Sequence, residues 1–381
     1  MLVILAPDSF KESIDAADAA AAMAAGVRDA VPDAEVRELP VSDGGEGFTE
    51  SVAVALGART LEVPVRDALG REATGQVAVA GRRAVLEVAS AVGLGMIASD
   101  ERDVMGADST GVGELIRAAL DEGADEIVVG LGGSATNDAG AGMLRVLGAR
   151  FLDASGAEIG TTPRELAHLA EIDVSGLDPR MAGVEVQAAC DVSNPLLGES
   201  GASAVFGPQK GATPELVTEL DAILARVAEV AGHDGDGGAA HEPGAGAAGG
   251  LGYALIGFLG ARMRPGVELV VETVGLEEAV AGADLVLTGE GSVDAQTLSG
   301  KTPAGVAAVA ARAGVPCVVL AGRVADDAAV LLDHGVTALV PIVPGVTDLP
   351  TALAEGGANL RRAASTVTRI FAAGRSGSAS F

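Results

Sequence analysis

Positive charge is scarce in this chain relative to negative. Its 381 residues carry 25 Lys and Arg against 53 Asp and Glu, a formal net charge of −28. A surface field of that sign repels nucleic acid and anionic lipid, so neither is expected as a partner. An anionic ligand would have to be met by a few local cations and backbone amides. Lysine itself is confined to Lys11, Lys210 and Lys301, the remaining cations being arginine. All three fall in loop-like stretches, SFKES, GPQKGA and SGKTP. There a compact charge on a flexible stem suits phosphate or carboxylate oxygens, the alternative being surface lysines with no ligand at all.

Cysteine is nearly missing as well. Cys190 and Cys317 stand far apart in apolar, strand-like surroundings, which excludes a disulfide framework and points to buried thiols. The histidines of HDGDGGAAHE, His233 and His241, lack ligand-like spacing to any Cys or His cluster, so no metal site is expected there. No apolar run is long enough to span a bilayer, and Met1 to Ala6 has no basic leader before Asp8. The expectation is a soluble cytoplasmic protein.

What is present is a chain with 49% hydrophobic residues, long enough for two cores, because single cores seldom grow past roughly 250–300 residues. Its most conspicuous stretch is VVGLGGSATNDAGAGM, Val128 to Met143. Ile127, Val128 and Val129 have the β-branched density of a buried strand. After them Gly130, Gly132, Gly133, Gly140 and Gly142 alternate with Ser134, Thr136, Asn137 and Asp138, a composition that argues against a core and for bare amides facing an anion.

The chain opens as strand, polar loop and helix: Leu2 to Ala6, PDSFKES, then Asp15 to Ala30. That order puts Asp8, Ser9 and Lys11 at the carboxyl end of a strand, where open α/β sheets bind ligands. A second strand, Val36 to Val41, delivers SDGGEG, whose Asp43 and Glu46 suit Mg²⁺ or a substrate hydroxyl, or simply form the turn. From Thr60 to Val88 short alternating strands predict an antiparallel region, the entry to a second domain. A strand at Glu185 to Ala189 precedes Asp191 and Asn194, a pair able to hold a metal or orient a hydroxyl. Thr213 to Val230 is predicted to be an amphipathic helix that packs on a core. PGAGAAGGLG, Pro243 to Gly252, fits close helix packing or a second backbone stretch facing phosphates. DLVLT, Asp284 to Thr288, leads into GEGSVDAQTLSGKTPAGVA, and βα units follow, with helices predicted at Pro303 to Ala313, Asp326 to His334 and Leu349 to Ala373.

The fold class expected is α/β with two domains. A doubly wound flavodoxin- or Rossmann-like domain is built from both chain ends, residues 1–60 and 284–373. A mixed α/β domain, 61–283, is inserted between them and carries the Gly130 to Gly142 loop. Two generic motifs need weighing. AQTLSGKT approaches a P-loop but has Ala295 for the first glycine and Pro303 directly after; Gly300, Lys301 and Thr302 still precede a helix N-terminus that favours an anion. Gly130, Gly132 and Ala135 fit a dinucleotide fingerprint, with Asp153 at a suitable distance. A nicotinamide-dependent oxidoreductase on a small hydroxy acid is therefore an alternative, as is a non-enzymatic ligand-binding protein.

Taken together, APDSFKES, SDGGEG, GLGGSATNDAGAGM, CDVSNPLLG with GASAVFGPQKGA, PGAGAAGGLG and TGEGSVDAQTLSGK resemble the glycerate kinase family of the bacterial glycerate 2-kinase type. The resemblance runs from Met1 to about Ala373. It implies transfer of the ATP γ-phosphoryl group to a hydroxyl of D-glycerate with Mg²⁺, in two α/β domains with the site in the cleft between them. The product would be 2-phosphoglycerate, with 3-phosphoglycerate the other product the hydroxyls allow. On that reading Asp191 or Asp294 accepts or aligns the hydroxyl proton, and Lys11 and Lys301 clamp carboxylate and phosphate. Asn194, Glu290 and Asp43 serve Mg²⁺ or its waters. Asp8, Ser9, Gly132, Gly133, Ser134, Thr136, Asn137, Lys210 and Gly300 complete the substrate and ATP contacts. Two departures stand out: Ser292 where the family often has arginine, which shifts phosphate neutralisation onto Lys301 or an arginine elsewhere, and Phe48 where it has threonine. Nothing in the sequence bears on oligomeric state.

Overall fold

In a computed structural model of the chain, residues 1–41, 47–235, 237–298 and 300–377 are described. Asp43 and Glu46 lie outside them. The chain divides into two units, one formed by Met1–Asp43, Glu50–Gly57 and Gly266–Phe381, the other by Gly44–Thr49 and Ala58–Pro265.

The apolar runs at the two chain ends become the strands Leu2–Leu5, Leu285–Val293 and Cys317–Val324, which carry almost no alternation until their carboxyl ends. Such runs suit a parallel sheet covered on both faces. The sheet of the first unit runs in the order Ala338–Pro341, Cys317–Val324, Leu285–Val293, Leu2–Leu5, Glu35–Glu38, and every pair is parallel. The order reverses direction between Leu2–Leu5 and Leu285–Val293. In a doubly wound sheet that switch point opens a crevice at the carboxyl ends of its strands, the usual ligand position.

Parity along the strands decides which side chain meets which layer. Val3, Leu5, Leu285, Leu287, Val318 and Leu320 share a core with Phe10, with Ala19, Met23 and Val27 of helix Ala16–Ala30, and with Leu360 and Ala364 of helix Gly356–Gly377. The alanine-rich first helix starts on Asp15, whose carboxylate accepts from the Asp18 amide at 2.7 Å, a regular N-cap. Its Gly26 lets the last helix close in, because a Cβ there would stand 2.2 Å from the Arg361 carbonyl oxygen. The opposite face, with Ile4, Val286 and Val319 fully buried, is covered by helix Thr302–Arg312, flanked by Gly266–Thr273 and Leu276–Val280. Each such aliphatic side chain contributes roughly 1.5–3 kcal/mol on burial. The helix expected over Leu349 to Ala373 is broken in two, Leu349–Ala354 and Gly356–Gly377. The break falls where Gly356 lies against Ser13, whose Oγ would be 2.1 Å from a Cβ. Asp326–His334 is a 3₁₀ helix rather than an α-helix.

The second unit holds a six-stranded mixed sheet in the order Arg262–Arg264, Glu185–Ala189, Glu126–Gly130, Arg83–Glu87, Glu72–Ala80, Arg59–Arg66. The last three form the antiparallel meander that their alternation predicts, and the others are joined in parallel. Helix Pro214–Ala231, capped by Thr213, buries Leu220, Ile223, Leu224 and Val227, the expected stripe. Tyr253 on helix Leu251–Leu259 is fully buried in the same core. Cys190 and Cys317 are both free thiols, one in each unit. Among the described residues no helix is long and apolar enough to cross a membrane.

Candidate functional site

In the first unit, the switch point gathers a set of polar side chains in an otherwise apolar layer. The Asp8 amide donates to the Gly289 carbonyl at 2.8 Å, so the loop after the first strand is hydrogen-bonded beside Glu290. The Asp8 carboxylate accepts from Thr302 Oγ1 at 2.6 Å and from the Ser9 amide at 2.6 Å. Thr302 is the first residue of an eleven-residue helix, so Asp8 is an anion held at a helix N-terminus, where dipole and free amides favour it. Glu290 accepts from Thr297 Oγ1 at 3.2 Å and stands 3.9 Å from Lys301 Nζ. Two carboxylates, two hydroxyls and one ammonium are thereby collected from two adjacent strands and the turn before the helix.

The glycines of TGEG explain how the loop fits. A Cβ on Gly289 would lie 2.0 Å from the Leu320 carbonyl oxygen and 3.1 Å from Phe10 Cζ, and one on Gly291 would meet the Lys11 amide nitrogen at 3.5 Å. The Phe10–Lys11 segment therefore runs over the glycine side of the strand, while Glu290, of opposite parity, turns toward Thr297 and Lys301. Lys11 itself is exposed, in a tight turn closed by hydrogen bonds between Phe10 and Ile14. Asp294 spends its Oδ1 on the Gln296 amide, 2.9 Å away, and so is partly committed to its own turn. Gly300 has φ 98°, the left-handed conformation that lets the chain enter the helix.

The glycine loop of the second unit is not what its composition suggests. Ser134 is 5% exposed, and Thr136, Asn137 and Asp138 are fully buried; only Gly132 is half-buried and Gly133 exposed. The stretch is part of the core, with Ala135, Ala139, Ala141 and Met143 in the main apolar cluster. Its amides are largely taken up by the protein: Leu131 donates to Ala189 O, Ala135 to Val92 O, Ala139 to Gly249 O, and Gly140 and Gly142 to the Asp138 carboxylate. The expectation of a core-free cradle of bare amides is thus corrected. Small side chains permit a packed core as readily as they permit ligand approach, and sequence does not separate the two.

Asp138 is the hub of that arrangement. Its Oδ2 accepts from Ser109 N at 2.8 Å, Ser109 Oγ at 2.7 Å and Gly142 N at 3.0 Å. Burial, and secondarily the charge of Asp108, raise its pKa to about 6 in spite of those donors. Lys210 is 3% exposed and donates to Ser134 Oγ at 3.1 Å and to the Thr136 carbonyl at 2.7 Å. Burial lowers its pKa to about 7, against the attraction of Asp138. Asn137 donates to Ser203 Oγ at 3.0 Å, while Asn137 Oδ1 and Thr136 Oγ1 are buried without a protein partner. The PGAGAAGGLG segment packs on the loop: Gly249, at φ +67°, would bring a Cβ to 1.9 Å from Thr136 O. Of its two readings, close packing is the one realised. Asp191 is exposed just past strand Glu185–Ala189, and Asn194 donates to Ser200 O at 2.7 Å.

Asp8, Glu290 and Lys301 are thus brought together within one unit, while Ser134, Thr136, Asn137 and Lys210 form an internal network of the other. Thr297, Ser109 and Glu87 are not marked by the sequence as site residues, and Thr302 enters there only beside Gly300 and Lys301 at a helix N-terminus. The acid Glu87, 7% exposed, accepts from the amides of Gly47 and Thr49 at 3.3 and 3.0 Å. Thr297 lies three residues after Asp294, whose amide donates to its Oγ1 at 3.2 Å, a turn spacing that could have found it; nothing in the local sequence pairs it with Glu290, seven residues back, or Ser109 with Asp138. Among the described residues no three His, Cys, Asp or Glu gather as a metal-holding group.

Acids, hydroxyls and a lysine at the switch point of a five-stranded parallel sheet, one acid fixed to a helix N-terminus, form a polar cluster where doubly wound α/β proteins bind their ligands. Comparison with known proteins makes this specific. The glycerate kinase family profile matches residues 3–372. The chain is 46% identical over 366 residues to a glycerate kinase of Bacillus subtilis (strain 168), covering 96% of each. It is 42% identical to glycerate 2-kinase of Escherichia coli (strain K12), covering 98% of this chain and 99% of that one. A crystal structure described as a candidate glycerate kinase 2 from Salmonella typhimurium LT2 superposes with a TM-score of 0.88 at 44% identity, over 98% of this chain and 99% of the other. The chain belongs to the glycerate kinase family, and so to the phosphotransferases.

Proposed function

We propose that this protein transfers the γ-phosphoryl group of ATP to the 2-hydroxyl of D-glycerate, giving 2-phosphoglycerate. The observation that carries the reading is the cluster at the switch point, where Asp8 and Glu290 are tied through Thr302, Thr297 and Lys301 to a helix N-terminus. Phosphoryl transfer needs positioning and charge neutralisation more than covalent chemistry, and these are the groups it uses. Lys301 and the amides opening helix Thr302–Arg312 bind phosphate oxygens, and Lys11 neutralises substrate carboxylate or phosphate. Ser9 and Gly300 line the same loops. In the second unit Gly132 and Gly133 present backbone to a ligand, and Lys210 holds the loop from behind through Ser134 and Thr136. Asp191 or Asp294 accepts or aligns the hydroxyl proton, and Asp294 also accepts from the Gln296 amide through Oδ1.

The donor set suits Mg²⁺, which takes one or two carboxylates and completes its shell with phosphates and water. Glu290, with Asp43, would hold it, and when bound it neutralises developing charge on the transferring group. The reaction is proposed to run in the cytoplasm, where ATP is available.

The test is an ADP-release assay with D-glycerate, ATP and Mg²⁺, the products separated by ³¹P NMR. Stoichiometric 2-phosphoglycerate is expected; binding without turnover, or turnover only with a nicotinamide cofactor, refutes the reading. Lys11→Ala and Asp191→Asn should each fold and lose at least about 100-fold in turnover. Full activity in both would remove these residue roles and leave the reaction standing.

A further inference from the structure

Arg323 lies in the strand Cys317–Val324, next to Leu285–Val293, and in the parallel register it is the direct partner of Ser292. Register partners in a sheet project to the same face, and residues two apart along a strand do likewise. Arg323, Ser292 and Glu290 therefore share one face, the face on which Thr297 and Lys301 approach Glu290. Neighbouring strands are about 4.8 Å apart and residues two apart along a strand about 6.6 Å, so Arg323 starts about 8 Å diagonally from Glu290, within reach of its long side chain. Arg323 is exposed, and its side chain makes no hydrogen bond or ion pair with any described residue. That is unusual in this chain, where acids outnumber cations two to one and most arginines are engaged, as Arg361 is by Asp29 and Arg180 by Asp178 and Asp121. An arginine left unengaged at the carboxyl edge of a parallel sheet, in a field of −28, is placed for an anion from outside the chain.

We infer that Arg323 binds an oxyanion of the reactants, the phosphate of the nucleotide or the carboxylate of glycerate, through its planar two-pronged donor set. The inference rests on the glycerate kinase reading, but its test does not need turnover. Binding of ATP and of D-glycerate is measured separately by calorimetry on the wild type, R323S, R323K and S292R/R323S, with KM for each reactant alongside. R323S should fold as the wild type does and bind one reactant about 10- to 100-fold more weakly, as expected for the loss of a charged hydrogen-bond donor. The reactant affected identifies the oxyanion. R323K should recover only part of the loss, because a point charge does not replace a fork. S292R/R323S, which moves the arginine across the register pair to the same face, should recover most of it.

R323S binding both reactants within twofold of the wild type overturns the inference, as does a double variant no better than R323S. Wild-type protein that binds both reactants without transferring phosphate sinks the function while the comparison with R323S still decides the role of Arg323. Wild-type protein that binds neither refutes both.

Discussion

Replacing Lys210 with methionine removes a cation that is 3% exposed and donates to Ser134 Oγ and the Thr136 carbonyl. Burial lowers the pKa of this lysine from 10.5 to about 7. Each tenfold change in proton affinity is about 1.4 kcal/mol, so holding the charged form inside costs roughly 5 kcal/mol relative to water. Between pH 7 and 10.5 the unfolded chain therefore binds more protons at this position than the folded one. The stability contributed by Lys210 is full above the upper value and is lost as pH falls to the lower. Asp138 has the opposite slope: raised from 3.8 to about 6, it contributes stability below 3.8 that is lost as pH rises through about 6. In the variant, Ser134 Oγ and Thr136 O lose a buried donor, about 1–3 kcal/mol.

The gap from the wild type widens as pH rises. The variant should be about 2 kcal/mol less stable at pH 7 and roughly 2 kcal/mol worse again at pH 9. Urea unfolding followed by tyrosine fluorescence reads this directly, because the chain has one tyrosine and no tryptophan, and Tyr253 is fully buried in the second unit. An equal separation of the two curves at pH 7 and pH 9 would refute the assignment of Lys210 as a desolvated cation holding the glycine loop.

Two further outcomes follow from packing and burial. Gly249→Ala adds a Cβ 1.9 Å from Thr136 O at a residue with φ +67°, and left-handed strain with overpacking should cost about 2–5 kcal/mol. The same fluorescence transition would show it, and an unchanged midpoint would mean the two segments are not in contact. Cys317 is fully buried with its thiol pushed up to about 12, and Cys190 is half-buried with its thiol raised by burial. A thiol reagent should titrate at most one cysteine in native protein and two in urea; two fast native thiols would contradict the burial.

Periodicity and composition were enough for much of the fold. Unbroken apolar runs at Leu2–Leu5 and Leu285–Val293 mark parallel strands, the alternation from Arg59 to Glu87 marks a meander, and the stripe on Pro214–Ala231 marks a packed helix. These are local consequences of which faces each element must bury. The site was legible in kind, since acids and a lysine after strand ends are where such sheets bind ligands. Its membership was only partly so. Asp8 and Thr302 are 294 residues apart, and their hydrogen bond exists because two strands from opposite ends of the chain are neighbours.

By itself, then, the sequence determined the α/β class, the family and the short polar segments that follow the strands, because these depend on patterns read within a few residues. Tertiary structure alone decided that the glycine loop turns inward onto Lys210 and Asp138, that Glu290 faces Lys301, and that Arg323 stands beside Ser292. Glycine and alanine say how closely two segments can approach and not which segments they are. Register says which side chains share a face, and it is set only when the strands pair.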